Sequence, residues 1–188
     1  RDFEMNRVMK EMNMNRLRSF PVATSLLAFC LLALLAPATA DAQKDGTTHY
    51  VKLGGSIQNA IDGASDGDTI QLAAGTYNIT TTIDPGGKQV TILGTVDGEG
   101  EPNSILDGGG AFRVLICQSG ETSTTVFQNL MIQNGYASRG GGMYNNGSSP
   151  TLTNCTFTGN SADYGGGMLN YDGSDATLTN CTFTNNSV

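Results

Sequence analysis

The sequence is poor in charge and in several residue types that often carry chemistry. It has no Trp, one His and four Cys, so a zinc site built from several His and Cys side chains is disfavoured. Charged residues make up only 14% of the chain, and acidic residues outnumber basic ones, 17 against 10. Nucleic-acid binding needs clustered cations and is therefore disfavoured. The basic residues of the segment 43–188 are Lys44, Lys52, Lys88, Arg113 and Arg139.

Long apolar runs are rare, and the clearest lies near the N-terminus. Residues 22–35 read VATSLLAFCLLALL, follow Arg16 and Arg18, and precede the small residues APATADA. This order is typical of a secretory signal peptide, and the run is shorter than the roughly 20 residues that a transmembrane helix needs. We expect residues 1–42 to be a signal peptide region, with residues 1–13 a candidate for upstream translation. Residues 43–188 are then exported, and their acidic surface disfavours lipid-bilayer insertion.

Glycine is abundant, with 25 residues, and the second half consists of internal repeats. TLTNCTFTGNS at 151–161 returns as TLTNCTFTNNS at 177–187, and GGGM at 140–143 returns at 165–168. VFQNLMIQNG at 126–135 is an earlier, degenerate copy. A repeat of about 25 residues indicates stacked supersecondary units, which are stable only as arrays.

Alignment of the copies places like residues in columns, meaning equivalent positions of successive repeats. The columns are Phe127, Leu152 and Leu178; Asn129, Asn154 and Asn180; Leu130, Cys155 and Cys181; and Ile132, Phe157 and Phe183. Apolar and polar residues alternate on both sides of the Asn, which is the periodicity of strands. The alternation slips at the Asn, which predicts a bend in the left-handed conformation there.

These features predict an all-β fold, a parallel β-helix with three short strands and about 25 residues per coil. Abundant Gly, Thr and Asn exclude helical repeats. Ser56 precedes a helical stripe of Ile57, Ala60 and Ile61, so we predict a short N-terminal capping helix within a cap and first coil at 47–77. Further short strands are expected at 79–83, 90–93, 104–106 and 113–117, with regular repeats at 126–188.

The last repeat has no capping segment in this sequence. An open final coil exposes strand edges, which natural chains avoid, so we expect a C-terminally truncated solenoid that continues beyond Val188.

Two stretches carry a family resemblance. IQNAIDGASDGDTIQLAAGTY at 57–77 resembles the opening of right-handed parallel β-helix proteins of the pectate-lyase-like superfamily. The F-x-x-N elements Phe157–Asn160 and Phe183–Asn186, beside glycine-rich corners, resemble the polymorphic outer membrane protein repeat of autotransporter-type adhesins. GGGM departs from the GGA-[ILV] element of that repeat.

The resemblance implies a secreted or cell-surface bacterial protein, adhesin-like or surface-structural, whose partners are glycans or another cell surface. It leaves two alternatives open. The chain could be the N-terminal part of a polysaccharide-active enzyme, or a carbohydrate-binding solenoid without catalysis.

The repeats offer little ground for catalysis, because their outward strand positions carry no carboxylate pair for acid–base chemistry. We predict no catalytic, cofactor or metal residues. Calcium at Asp62, Asp66 and Asp68 stays open as a hypothesis against ordinary turn formation. The candidate ligand contacts are Tyr144, Tyr164, Tyr171, Asp97, Asp107 and Arg113.

Two further pairs of side chains have alternative interpretations. Cys155 and Cys181 either stay buried thiols or form a disulfide between neighbouring coils. Asn160 and Asn186 either contact a sugar or satisfy buried backbone groups at a corner.

Overall fold

A computed structural model describes residues 46–188, which form a parallel β-solenoid of about five coils. The predicted signal peptide region lies outside the described residues. In chain order the elements are β1 Thr48–Val51, α1 Ile57–Gly63, β2 Thr69–Leu72, β3 Gly75–Asn78, β4 Thr91–Leu93, β5 Ser104–Asp107, β6 Leu115–Cys117, β7 Val126–Gln128, β8 Leu130–Gln133, β9 Tyr136–Arg139, β10 Met143–Asn146, β11 Thr151–Thr153, β12 Thr156–Thr158, β13 Ser161–Tyr164, β14 Met168–Tyr171, β15 Thr177–Thr179 and β16 Thr182–Thr184.

The strands stack into four parallel sheets. The first sheet has the order β1-β2-β4-β7-β11-β15, and the second β16-β12-β8-β5-β3. The third pairs β9 with β13, and the fourth has the order β14-β10-β6. We number the coils by their strand in the first sheet, so that coils 1 to 5 begin with β2, β4, β7, β11 and β15. Successive coils lie about 4.8 Å apart along the solenoid axis.

The predicted fold class is confirmed, and the structure adds detail to the strand assignment. Coils 3 and 4 contain a fourth strand, β9 or β13, beyond the three that were predicted. Its sequences, YASR and SADY, lack apolar alternation because only the small Ala137 and Ala162 fall on the inner side. The strand expected at 79–83 is reduced to an isolated bridge between Ile83 and Leu115.

The columns of the repeats pack one above another inside the solenoid. Leu152 is the register partner of Phe127 on one side and of Leu178 on the other. Leu152 and Phe127 are fully buried. Phe157 and Phe183 stack with ring centroids 4.7 Å apart and nearly parallel planes. Burying each aromatic or aliphatic side chain stabilises the fold by about 1.5–3 kcal/mol.

The predicted Asn bend is confirmed in all three copies. Asn129, Asn154 and Asn180 have φ of 57°, 51° and 57°, the left-handed conformation that Asn tolerates better than most residues. The side-chain amide of Asn154 also donates to Asn129 Oδ1 at 3.0 Å, which links two bends. The bend lets the strands before and after it both point their apolar side chains inward.

The predicted capping helix is α1. Ser56 Oγ accepts from the backbone N–H of Asn59 at 3.1 Å, and Ile57 and Ile61 are buried. At the other end, Lys88 Nζ donates to the carbonyl oxygens of Ile61, Asp62 and Ala64 at 2.7, 2.7 and 3.0 Å. A cation at a helix C-terminus is stabilising because it meets the unpaired carbonyl groups there.

Candidate functional site

An arginine–tyrosine corner lies beside the point where coils 3 and 4 pass from the third sheet to the fourth. We define this corner as Arg113, Arg139, Tyr144, Tyr164 and Tyr171. The guanidinium of Arg113 lies 5.0 Å from the centre of the Tyr144 ring, and that of Arg139 lies 5.2 Å from the centre of the Tyr171 ring. The two tyrosine rings are 6.5 Å apart. Tyr164 is the register partner of Arg139. The structure therefore brings together four of the six candidate contacts and adds Arg139, which the sequence did not indicate.

The two arginines of the corner are held differently. Arg113 Nε donates to the carbonyl oxygens of Arg139 and Gly140, both at 3.1 Å, and Nη2 donates to Arg139 O at 2.8 Å. Partial burial lowers the pKa of Arg113 below its ordinary value, and the neighbouring Tyr144 opposes the shift. Arg139 is exposed and makes no side-chain hydrogen bond within residues 46–188. Arg113 therefore joins two coils, while the donors of Arg139 remain available.

A second surface is an open groove of about 450 Å³ beside the end of the second sheet. The groove is lined by Asp107, Gly109, Gly110, Asn134, Gly135, Tyr136, Gly159 and Ser161. Asn134 and Gly159 both have left-handed backbone conformations, with φ of 51° and 64°. The Tyr136 side chain is more than half exposed at its edge. The small floor residues and the exposed ring leave room for a flat ligand.

Asp107 is the one carboxylate that lines this groove. It accepts from Gln133 Nε2 at 2.8 Å, from Asn134 Nδ2 at 3.1 and 3.2 Å, and from the N–H of Gly109 at 2.8 Å. Partial burial alone would raise its pKa, but these hydrogen bonds outweigh it, so the pKa of Asp107 lies below its ordinary value. The groove therefore carries an ionised carboxylate and two fixed amide groups beside an aromatic ring.

Asp97, the remaining candidate contact, lies in a separate place. An antiparallel bridge between Val96 and Pro102 closes a short hairpin between β4 and β5. Asp97 Oδ1 accepts from the backbone N–H groups of Glu99 and Glu101 at 2.9 and 3.0 Å, which fixes the turn. We call residues 96–102 the acidic hairpin.

The Asn of each F-x-x-N element forms hydrogen bonds with backbone groups in this structure. Asn160 Nδ2 donates to Ile132 O at 3.0 Å and to Asn186 Oδ1 at 2.9 Å, and Asn160 Oδ1 accepts from Gly135 N at 2.7 Å. Asn186 Nδ2 in turn donates to Phe157 O at 2.9 Å. Because Asn160 is fully buried, this ladder favours the structural interpretation over a sugar contact.

The two stacked cysteines are free thiols here. Contact with Cys181 and burial raise the pKa of Cys155, while the hydrogen bond from Cys155 lowers that of Cys181. Cys181 is therefore the first of the pair to ionise.

Two buried carboxylates escaped the sequence interpretation. Asp68 closes the turn Ser65–Asp68, as turn formation predicts, but it is also almost fully buried. Its carboxylate accepts from the N–H groups of Thr47 and Ser65 and lies 2.9 Å from His49 Nε2. His49, on β1, is thus a partner of Asp68, which directly precedes the neighbouring strand β2.

Glu121 is the second of these carboxylates. It accepts from Gly87 N at 2.7 Å, Ser119 N at 2.9 Å and Ser148 Oγ at 2.8 Å, and so joins residues of three successive coils. Burial alone would raise the pKa of Glu121, but these hydrogen bonds outweigh it and place the pKa below its ordinary value. Neither Asp68 nor Glu121 belongs to a repeat, which is why periodicity gave no signal for them.

Residues 46–188 carry neither a cluster of metal ligands nor a membrane-spanning helix. No group of three or more His, Cys, Asp or Glu side chains is arranged to hold a metal ion. None of the helices in this part of the chain has the length and apolarity to cross a membrane.

Comparison with known proteins identifies the architecture. The family model described as a right-handed β-helix region matches residues 54–188, which is most of the chain. No curated protein and no solved structure matches this chain.

Proposed function

Because the chain belongs to the right-handed β-helix family, we propose that it is a secreted or cell-surface protein that binds glycans, in the manner of an adhesin, without catalysing a reaction. The F-x-x-N repeats and the predicted signal peptide support the location. The fold alone supports several functions, so the proposal rests on the groove.

The observation that carries the proposal is the exposed ring of Tyr136 beside the fixed polar groups of Asp107, Gln133 and Asn134. A sugar has an apolar ring face and hydroxyl groups at its edge. An aromatic ring packs against the first, and carboxylate or amide oxygens accept from the second. A flat floor of Gly109, Gly110, Gly135 and Gly159 lets a sugar ring approach the backbone.

The groove also runs along the solenoid axis. Its residues come from the ends of β5, β8 and β12, which are neighbours in the second sheet, so the same corner is repeated in coils 2, 3 and 4. A linear polysaccharide suits such a surface because successive sugar units meet successive coils.

The lack of a second carboxylate in the lining supports binding over hydrolysis, which uses two. We therefore expect polysaccharides to leave the protein unchanged. A release of reducing ends or unsaturated sugars by the full chain would instead support the enzyme alternative.

The proposal is tested by binding of the full chain to immobilised mannan, galactan and β-glucan. We expect Tyr136→Ala to weaken binding about five- to tenfold, since an aromatic contact contributes roughly 1 kcal/mol. Tyr50→Ala is the matched control, because Tyr50 is 82% exposed and lies on β1, far along the chain from the groove. Equal binding by Tyr136→Ala and the unaltered chain would contradict the proposal.

A further inference from the structure

The cations of this acidic protein are unevenly placed. In residues 46–188 they are Lys52, Lys88, Arg113 and Arg139. Lys88 is bound to the carbonyl end of α1, and Arg113 and Arg139 share the arginine–tyrosine corner. The one acid–base contact among these described residues joins His49 to Asp68, so neither arginine is paired with a carboxylate of residues 46–188. The corner is a positive surface on a protein whose net charge is −7.

The acidic hairpin is the complementary surface. Its backbone is fixed by the Val96–Pro102 bridge and by Asp97, while Glu99 and Glu101 are exposed and make no side-chain hydrogen bond within the described residues. No cation of residues 46–188 pairs with any of the three carboxylates.

The two surfaces lie on different sides of the coil. Coils 3 and 4 pass through the first, second, third and fourth sheets in order, and coil 2 runs from the second sheet to the fourth without a third-sheet strand. The acidic hairpin connects the first sheet to the second, whereas Arg139 ends the third sheet and precedes the fourth. Two connections separated by a sheet on either side are opposite one another around the coil. One molecule cannot bring the hairpin to its own arginines, but two molecules side by side can.

The two surfaces also lie at matching heights along the axis. The acidic hairpin belongs to coil 2, and Asn154 Nδ2 of coil 4 donates to Gly100 O at 3.2 Å, so the hairpin extends along coils 2 to 4. Arg113 belongs to coil 2 and Arg139 to coil 3. A neighbour displaced sideways, without a shift along the axis, therefore places its hairpin opposite these arginines.

We propose that copies of this chain associate side by side, with the acidic hairpin of one copy docked on the arginine–tyrosine corner of the next. The contact is heterologous, so the operation repeats and produces open rows of parallel solenoids. Tyr164 and Tyr171, which are 65% and 49% exposed, add apolar area around the arginines. Exposed Asp163, next to Tyr164, disfavours a shift of the hairpin toward coil 4.

Sedimentation velocity of the full chain at low and high ionic strength tests this contact. We expect concentration-dependent association at about 0.01 M salt and monomers at about 1 M, because screening shortens the reach of exposed charges from about 30 Å to about 3 Å. Two charge-reversed variants, Glu99→Lys/Glu101→Lys and Arg113→Glu/Arg139→Glu, should each be monomeric at both salt concentrations. Their equimolar mixture should associate again, because the reversed hairpin fits the reversed corner.

Two controls keep the test sharp. Lys52→Glu makes the same charge change as one arginine reversal away from the corner and should associate normally. The single variant Arg139→Glu, which removes no hydrogen bond, should show weakened association and an unchanged circular dichroism spectrum. Monomers at low salt, or a mixture that stays monomeric, would overturn the proposal. So would association that salt strengthens, which would indicate contact through the exposed Leu178 and Phe183 of coil 5.

Discussion

The first and second halves of this solenoid hold their coils together by different means. In residues 48–117 the turns differ in length from coil to coil, and single charged side chains form the contacts between coils. Asp68 contacts His49, and Lys88 donates to carbonyl groups at the end of α1. In residues 126–188 the same neutral side chains return in register, as in the Phe157–Phe183 stack and the Asn160–Asn186 ladder. Glu121 lies at the junction and joins both halves.

This difference shows which side chains can be stacked on identical side chains of the neighbouring coils. Stacked like charges would repel one another at about 4.8 Å, so a column must be apolar or carry amides that both donate and accept. Asn satisfies that condition and Asp does not. The buried carboxylates Asp68 and Glu121 are therefore found at single positions, where each has hydrogen-bond partners of its own.

Removal of a buried aromatic side chain from a column should have the largest effect on the free energy of unfolding. We expect Phe157→Ala to lower the free energy of unfolding by about 3–5 kcal/mol, because a fully buried ring between two coils leaves a cavity. Urea unfolding measures it. Phe183→Ala is the matched control and should cost less than half as much, since that ring is 44% exposed. Equal costs would show that the stack does not support the second half.

Disruption of the Asn160–Asn186 ladder should have the second largest effect on the free energy of unfolding. Asn160→Ala leaves Gly135 N and Ile132 O without their partners, and we expect a loss of about 2–4 kcal/mol. Hydrogen exchange should show faster opening in coils 3 and 4 than around α1. Asn134→Gly, which keeps the left-handed conformation and removes an exposed amide, should cost below about 1 kcal/mol. Uniform loss of protection along the chain would contradict the division into two halves.

The junction of the two halves at Glu121 should be sensitive to acid. The folded pKa of Glu121 is lowered, so its contribution is present above its unfolded pKa of about 4.3 and is lost as the pH falls through the folded pKa. Glu121→Gln should cost about 1–3 kcal/mol at pH 7 and should flatten the fall in stability below about pH 5. Unfolding measured from about pH 3 to 7 tests this, with exposed Glu99→Gln as control. An unchanged dependence of stability on pH for Glu121→Gln would contradict a stabilising role of the Glu121 carboxylate.

The smallest effect should distinguish the two arginines. Arg113→Gln removes hydrogen bonds to Arg139 O and Gly140 O and should cost about 1 kcal/mol. Arg139→Gln removes a cation–π contact alone and should cost about 0.5 kcal/mol. A lower melting temperature for Arg139→Gln than for Arg113→Gln would mean that Arg139, too, stabilises the contact between coils.

The sequence predicted what repetition makes visible. The left-handed bends at Asn129, Asn154 and Asn180 followed from a shift in alternation that occurs three times. Glu121 could not be predicted, because it is a single carboxylate in a turn and its partners are 34 and 27 residues away.

The candidate site was predicted in part for the same reason. Tyr144 and Tyr171 occupy corner segments that the repeat defines, but each is covered by an arginine from the preceding coil. That pairing depends on the length of each coil, which only the fold supplies. The fourth strand was missed because its sequence is too polar to alternate.

The near-identity of residues 151–161 in coil 4 and 177–187 in coil 5 also has a genetic consequence. Register partners such as Thr151 and Thr177 stand in equivalent surroundings, so a recombination event between the two copies removes or adds one whole coil. The coil on either side then meets a neighbour with the same Asn, Phe and Thr side chains. Insertion or removal of one coil in the second half therefore preserves the contacts between coils, whereas in the first half it would separate Asp68 from His49.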